Sequence, residues 1–377
     1  MRMEPLEGAI RAAGAAAYVA YASSADADML YLTRFRTTDP IVFLKKPGER
    51  GTIILSQMEY ERGVRESTAA VMTRADAGLT EILKEEKDRT KAYARMIAGL
   101  AGGGILVPPQ FPLGMARELE QYSPVAVDRG TVAAMRAVKR KDEVREIRKV
   151  LLAAEAAVGR AIRIIARATV QGGILHRDGK PLTSEMIRQE MHLLLLTRGC
   201  RAQDTIVACG PDSAVPHLRG DGPLREGEPI VIDLFPRDEL TGYCADLSRT
   251  VAKGEPDMKV VEMYQAVREA KRLAASRAKP GVEGADLHQM VVECFAEQGF
   301  ESTTRGFIHS LGHGVGLEVH EDPSLGPGGG PLSAGNIFTL EPGLYYPEVG
   351  GVRLEDMALL TSRGCTVLSK LGERLGV

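Results

Sequence analysis

The chain has 377 residues, 44% hydrophobic and 26% charged, with 48 lysines and arginines against 50 aspartates and glutamates and a formal net charge of −2. That length predicts two domains, and the balanced charge gives no reason to expect binding to nucleic acid or to an anionic membrane. No uninterrupted apolar run of roughly 18 residues occurs, so no membrane span is expected; the five scattered cysteines, without a CxxC spacing, favour reduced thiols in the cytoplasm.

Near the start, "AAGAAAYVAYA" (12–22) has the look of a signal-peptide core, but Glu4 and Glu7 make the preceding region acidic. A helix running into a strand is the expected structure. "AAYVAYAS", "IVFLKK" and "GTIILS" read as strands, and "YERGVREST" and "LTEILKEEKDRTKAYARMIAGL" as helices. "LAGGGILVPP" adds turn and strand signals. Helices and strands in alternation predict an α/β layer.

A long amphipathic helix follows over 139–168, with charge first and an apolar stripe after. The turn and strand signals ahead of it place the boundary near 130–138, taken as 135/136. Further helices are predicted at 183–199, 257–278 and 284–299. Strands are predicted at "TIVACG", "PIVIDLFP", "YCADLSRTVA", "NIFTLEPGLYY" and "VRLEDMALL". Helices clustered apart from strands imply an α+β domain whose curved antiparallel sheet is covered on one face.

Those strands carry carboxylates where apolar residues are expected. Asp233 ends the apolar run of "PIVIDLFP", and Asp246 lies between Ala245 and Leu247. Glu341 follows Phe338, Thr339 and Leu340, and Glu355 sits among Val352, Leu354 and Met357. A buried carboxylate costs several kcal/mol unless it is neutralised or paired. One such group is satisfied by an arginine; four have too few cations nearby, and a doubly charged metal satisfies several at once. "IHSLGHGVGLEVHEDP" (308–323) adds imidazoles, with His309, His313 and His320 spaced by glycines. Four carboxylates and one histidine suit Mn²⁺, Fe²⁺, Co²⁺ or Zn²⁺ in a two-metal centre, the ions roughly 3.5–4 Å apart around an activated water. His313 and His320 are seven apart, so a regular strand would point them to opposite faces, while Gly312, Gly314 and Gly316 let the backbone bend and approach closely.

The order Asp, Asp, His, Glu, Glu, carried by "VIDLFP", "GYCADLSRT", "HSLGHGVGLEVHE", "LEPGLYY" and "VRLEDM", resembles that of the pita-bread metallopeptidases. These include methionine aminopeptidase, aminopeptidase P, prolidase and their non-metal relative creatinase. "IVACGPDSAVPH" is similar to the family segment that carries a further active-site histidine. "YLTRF" and "SQMEYERG" resemble the N-terminal domain of the prolidase, aminopeptidase P and creatinase branch.

The resemblance implies an α+β fold with a pita-bread catalytic domain over 136–377 and a smaller creatinase-like α/β domain over 1–135. It implies metal ligation by Asp233, Asp246, His313, Glu341 and Glu355, with Asp246 and Glu355 bridging. Asp233 would serve one metal, and His313 with Glu341 the other. His217 and His320 match histidines that contact substrate, and Glu341 the acceptor of a proton from the bridging water. His309 and Arg353 match residues on the substrate side, Arg353 also orienting a bridging ligand. The cofactor implied is a pair of divalent ions, Mn²⁺ foremost, with Co²⁺, Zn²⁺ or Fe²⁺ as alternatives. The substrate implied is a small Xaa-Pro peptide, cut at its first bond by a hydroxide between the metals, and the assembly a homodimer.

Three departures stand out. The aspartates lie two positions further apart than is usual, which places a longer hairpin at "FPRDELTGY". Ser324, in "HEDPS", stands where prolidases often carry an arginine, which leaves dipeptidase against aminopeptidase preference open. The segment "VQGGILHRDGKPLTS" (170–184) is longer than the family loop and is expected to cover part of the cleft. "GPGGG" (326–330) is read as a flexible loop at the site's edge, and His176, His192 and His288 as surface or packing residues. With all five ligands present creatinase is set aside; the alternative is a binding protein on the same fold that has lost catalysis.

Overall fold

In a computed structural model, which describes residues 3–377, the chain divides into two compact units, Met1–Arg136 and Ala137–Val377. The first unit is built on six strands: β1 (Ala17–Ala22), β2 (Ile41–Lys45), β3 (Thr52–Leu55), β4 (Ala70–Thr73), β5 (Ile105–Val107) and β6 (Val125–Val127). They form one sheet in the order β4-β3-β2-β1-β5-β6. Its centre, β1 to β3, is antiparallel, while β4, β5 and β6 join in parallel. Helices α1 (Glu4–Ala12), α2 (Ala27–Thr33), α3 (Tyr60–Glu66), α4 (Leu79–Glu85), α5 (Arg89–Ala101), α6 (Leu113–Leu119) and α7 (Thr131–Ala137) complete it. The single helix expected over 79–100 is two. Asp88 accepts from Thr90 N and Lys91 N and so starts α5 afresh, which cuts the run at 86–88. Val19, Val42, Ile54, Ile97 and Ile105 share its core.

The second unit opens with α8 (Lys141–Arg167), whose buried face of Ile147, Val150, Leu151, Ala154, Val158, Ala161 and Ile165 follows helical spacing. Each fully buried branched side chain there stabilises by about 1.5–3 kcal/mol. A small meander follows, β7 (Thr169–Gln171), β8 (Ile174–Arg177) and β9 (Lys180–Pro181), and then α9 (Ser184–Leu196), capped by Thr183. β10 (Cys200–Arg201) pairs with β13 (Arg237–Asp238). β11 (Ile206–Cys209), β12 (Ile230–Leu234) and β14 (Leu247–Val251) make an antiparallel sheet.

After α10 (Met258–Arg277) and α11 (Gly284–Glu297) come β15 (Gly312–Gly314), β16 (Glu321–Leu325), β17 (Ile337–Leu340), β18 (Gly343–Tyr346), β19 (Gly350–Arg353), β20 (Asp356–Thr361) and β21 (Gly364–Val367). Five of them form an antiparallel sheet ordered β16-β15-β17-β20-β21, and β18 pairs with β19 alone. Val267 of α10 and Phe295 of α11 share one core with Phe338, Leu340 and Val352. The α+β expectation is met, but "NIFTLEPGLYY" and "VRLEDMALL" are each two strands. No helix among the described residues is long and apolar enough to cross a membrane.

Candidate metal centre

The two interrupted strands carry two of the carboxylates. Leu340 pairs with Asp356 on one side of the break, and Gly343 with Arg353 on the other. The register is the same on both sides, so Glu341 stands directly opposite Glu355. Between them the ladder gives way: Pro342 has no N–H to donate, and Glu341 N and Glu355 N donate instead to Leu311 O and Ser248 O. Asp233 is the fourth residue of β12, paired with Ser248, and Asp246 directly precedes β14. The extra residues between them form a hairpin turn in which Asp238 accepts from Leu240 N and Thr241 N at 3.0 and 2.6 Å.

His313 sits in β15 between two glycines that have no room for a side chain. A Cβ at Gly312 would collide with Thr339 O, and one at Gly314 with Asp322 O. The expectation that His313 and His320 point to opposite faces is not met. The chain leaves strand geometry over 316–320 and returns as β16, so strand parity does not apply. The two rings lie 4.1 Å apart between centroids.

Side chains converge as follows. His313 Nε2 is 3.1 Å from Glu341 Oε1 and 3.8 Å from Asp246 Oδ2. Its Nδ1 donates to Gly314 O at 3.1 Å, which leaves Nε2 facing the carboxylates. Asp246, His313 and Glu355 each offer one ligand atom, all within 4.8 Å of one another. Thr339 Oγ1 donates to Glu341 Oε1 at 3.0 Å and accepts from His313 N at 3.0 Å. Arg353, expected to orient Glu355 and to lie on the substrate side, donates from Nη2 to Asp233 Oδ2 at 2.7 Å, from Nη1 to Tyr345 OH at 2.8 Å and from Nε to Ser248 Oγ at 3.0 Å, and the Ser248 side chain in turn bonds the Glu355 carboxylate. Each nitrogen of the guanidinium is thus engaged inside the protein.

All nine predicted residues, Asp233, Asp246, His313, Glu341, Glu355, His217, His320, His309 and Arg353, line one cavity of about 480 Å³. Ser324 lines it too. Residues 170–184 do not line it, contrary to expectation, and 326–330 do not line it either but begin at Gly326, which packs against Ser310 and Ser324 on its wall. The first segment is the β7–β9 meander. The second is tied to the start of α11, where Gly284 N donates to Gly330 O and Ala285 N to Gly329 O. His176, His192 and His288 also lie away from the cavity; His192 bonds Thr205 Oγ1 at 2.8 Å, and His288 packs on the Phe307 ring.

Electrostatically the floor carries more negative than positive charge, four carboxylates against Arg353 and His313. Burial, then the charges of Glu355, Asp233 and Glu341, push the Asp246 carboxyl well above the usual carboxylate range. Burial and the charges of Glu341 and Asp233 do the same to Glu355. Burial works most strongly against charge on Glu341 as well, but the bond from His313 together with the charges of His313, His309 and Arg353 outweighs it and holds that carboxyl at about 2. Burial likewise opposes charge on His313, and the bond to Glu341, the Glu341 charge and the bonds to the Gly314 and Val319 backbone together overcome it and raise the imidazole. His309 and His320 are both pushed down by burial.

Divalent cations fit this donor set. Asp233 Oδ1 and Glu355 Oε1 are buried with no hydrogen-bond partner among the described residues, and such orphaned acceptors are costly. Among the described residues Arg353 is the one lysine or arginine on the cavity wall, and Asp233 already engages it. An oxygen-rich pocket with one imidazole suits hard or borderline divalent ions. Sequence reasoning missed Thr339, Tyr345, Ser248 and Asp204, the last of which also lines the cavity. Thr339 was within reach of a parity argument, being two residues ahead of Glu341 and so on the same face of the strand.

Comparison with known proteins agrees with this geometry. Residues 143–362 match the model of metallopeptidase family M24. A Xaa-Pro dipeptidase of Pyrococcus horikoshii is 32% identical over 336 residues, 87% of this chain and 86% of that protein. The crystal structure of the prolidase from Pyrococcus horikoshii OT3 superposes with a TM-score of 0.82 at 27% identity, covering 99% of each chain. That of an X-Pro aminopeptidase from Thermotoga maritima MSB8 gives 0.81 at 27% identity, over 98% of this chain and 100% of that one. With the carboxylate-rich cavity lying inside the matched segment, the chain belongs to metallopeptidase family M24, and its second unit has the pita-bread fold.

Proposed function

We propose that this protein hydrolyses the first peptide bond of short peptides with proline in second place. In this reading Asp233, Asp246, His313, Glu341 and Glu355 hold two divalent cations, Mn²⁺ foremost. The observation that carries it is the convergence of these five donors on one cavity, with Asp233 Oδ1 and Glu355 Oε1 buried and unpartnered. When bound, the two cations acidify a water between them and polarise the scissile carbonyl.

The side chains divide the remaining work. Glu341 takes up the proton that the attacking water gives away. His320, kept neutral by burial, and His217 face the cavity and steady the charge that develops on the carbonyl oxygen. Arg353 fixes Asp233. His309 has both ring nitrogens engaged, Nδ1 with Ser310 O at 2.8 Å and Nε2 with Tyr345 OH at 2.9 Å. It therefore offers substrate a ring face, flanked by Phe307 with centroids 5.4 Å apart, which suits the flat apolar side of a proline. The carboxylate-rich floor favours a substrate's free amino terminus, which explains cleavage at the first bond only. Residues 1–135 are read as a creatinase-like domain, and the working form as a cytoplasmic homodimer.

The test is hydrolysis of Xaa-Pro dipeptides and Xaa-Pro-Yaa tripeptides with added Mn²⁺ or Co²⁺, with Xaa-Ala peptides as controls. Turnover confined to the proline peptides supports the reading, and the dipeptide-to-tripeptide ratio reports what Ser324 does. No turnover on any peptide with two metals bound per chain would assign the protein to binding instead.

A further inference from the structure

Lys139 and Glu321 lie 182 residues apart, yet Lys139 Nζ donates to Glu321 Oε1 at 2.6 Å. The two side chains are only 1% and 5% exposed. Desolvating both ions consumes most of what their attraction returns, so such a pair is a weak source of stability and a sharp constraint on position. Glu321 opens β16 and immediately follows His320. Its carboxylate turns back into the bend over 316–320. A Cβ at Gly316 would collide with Glu321 Oε1, and Glu318 N lies 3.5 Å from Oε2. Lys139 is itself anchored just ahead of α8, its N–H donating to Gly335 O at 2.9 Å and its Nζ to Ala137 O at 3.3 Å. Glu321 does not line the cavity, whereas His320 does.

We infer that Glu321, clamped by Lys139, is a positioning residue for His320: it fills the inside of the bend and sets the imidazole against His313. Gly316 is then explained as well, because its missing side chain is the space the carboxylate occupies. The inference rests on His320 acting on substrate as proposed above.

The test uses the metal-loaded full chain and five variants: Glu321→Gln, Lys139→Met, both together, His320→Ala, and Glu321→Gln with His320→Ala. Glu321→Gln should lower kcat by about 10- to 100-fold, as loss of an orienting partner does, with bound metal and KM little changed. Lys139→Met together with Glu321→Gln removes both charges of the pair at once; kcat should stay low with bound metal little changed. In the His320→Ala background, Glu321→Gln should cost nothing more, because the residue acts only through that imidazole. A full further loss there would overturn the inference, as would wild-type kcat in Glu321→Gln or in the paired variant. Full activity in His320→Ala alone would sink the catalytic reading of that histidine, a failure separable from the others.

Discussion

Thr339→Val isolates one hydroxyl that touches two of the proposed ligands. Thr339 is fully buried, and valine has nearly its shape, so the change removes a donor and an acceptor without opening a cavity. The lost bond to Glu341 Oε1, at 3.0 Å, is to a charged group, worth about 1.5–3 kcal/mol. The lost bond from His313 N, also 3.0 Å, leaves a backbone donor unsatisfied, at about 1–3 kcal/mol. Burying a methyl in place of the hydroxyl returns up to about 1 kcal/mol. The net expectation is a destabilisation of about 1.5–6 kcal/mol, read by urea denaturation of the metal-free protein. Because Glu341 and His313 lose their orientation together, metal affinity or kcat should also fall about 10- to 100-fold. Thr339→Ser keeps both bonds and should restore most of the affinity and activity. A valine variant with unchanged stability and unchanged metal affinity would refute the role given to this hydroxyl.

Other outcomes follow from the same geometry. In the metal-free protein the raised Asp246 and Glu355 carboxyls and the raised His313 make the folded state bind protons more tightly than the unfolded one. Their contribution to stability is full below the unfolded values and is lost as pH rises through the folded ones. Chelated protein should therefore lose stability from this cluster as pH rises above the ordinary carboxylate range, and Asp246→Asn should flatten that slope in urea titrations; a parallel slope would contradict the assignment. Glu341 has the opposite sign, its contribution fading only as pH falls toward its value of about 2. Glu355→Gln should abolish turnover with the circular dichroism spectrum retained, whereas His320→Ala should keep both metals by elemental analysis and lose about 10²–10³ in kcat. His176→Ala, in the meander away from the cavity, should leave kcat/KM within about twofold, and a large loss would bring that segment back to the cleft.

The identities of the proposed ligands were legible because charge inside an apolar strand pattern is a local signal. Asp246 between Ala245 and Leu247, or Glu355 beside Leu354, needs no partner to look anomalous. What surrounds them was not legible. The strand breaks at Glu341 and Glu355 arise where chains paired in one sheet leave it for another, and no period within "NIFTLEPGLYY" announces that departure. Arg353 could not be matched to Asp233, 120 residues away, until the sheets were assembled. The stacking of His313 on His320 depends on the bend over 316–320, which strand parity cannot describe. The split of 79–100 into two helices was readable in principle, since Asp88 is a good cap, but the helical run on either side masked it.

The shared register across the break between Glu341 and Glu355 has an evolutionary consequence. Each glutamate is indexed to the other by counting residues around the β18–β19 hairpin, so a single-residue insertion or deletion between Glu341 and its tip would slide one acid past the other and leave the flanking sheet untouched. Compensated length changes at the tip itself, around 347–349, preserve the alignment. Drift in this stretch is thereby confined to the hairpin's apex, and a lineage that broke the count would keep a folded protein with a dismantled centre.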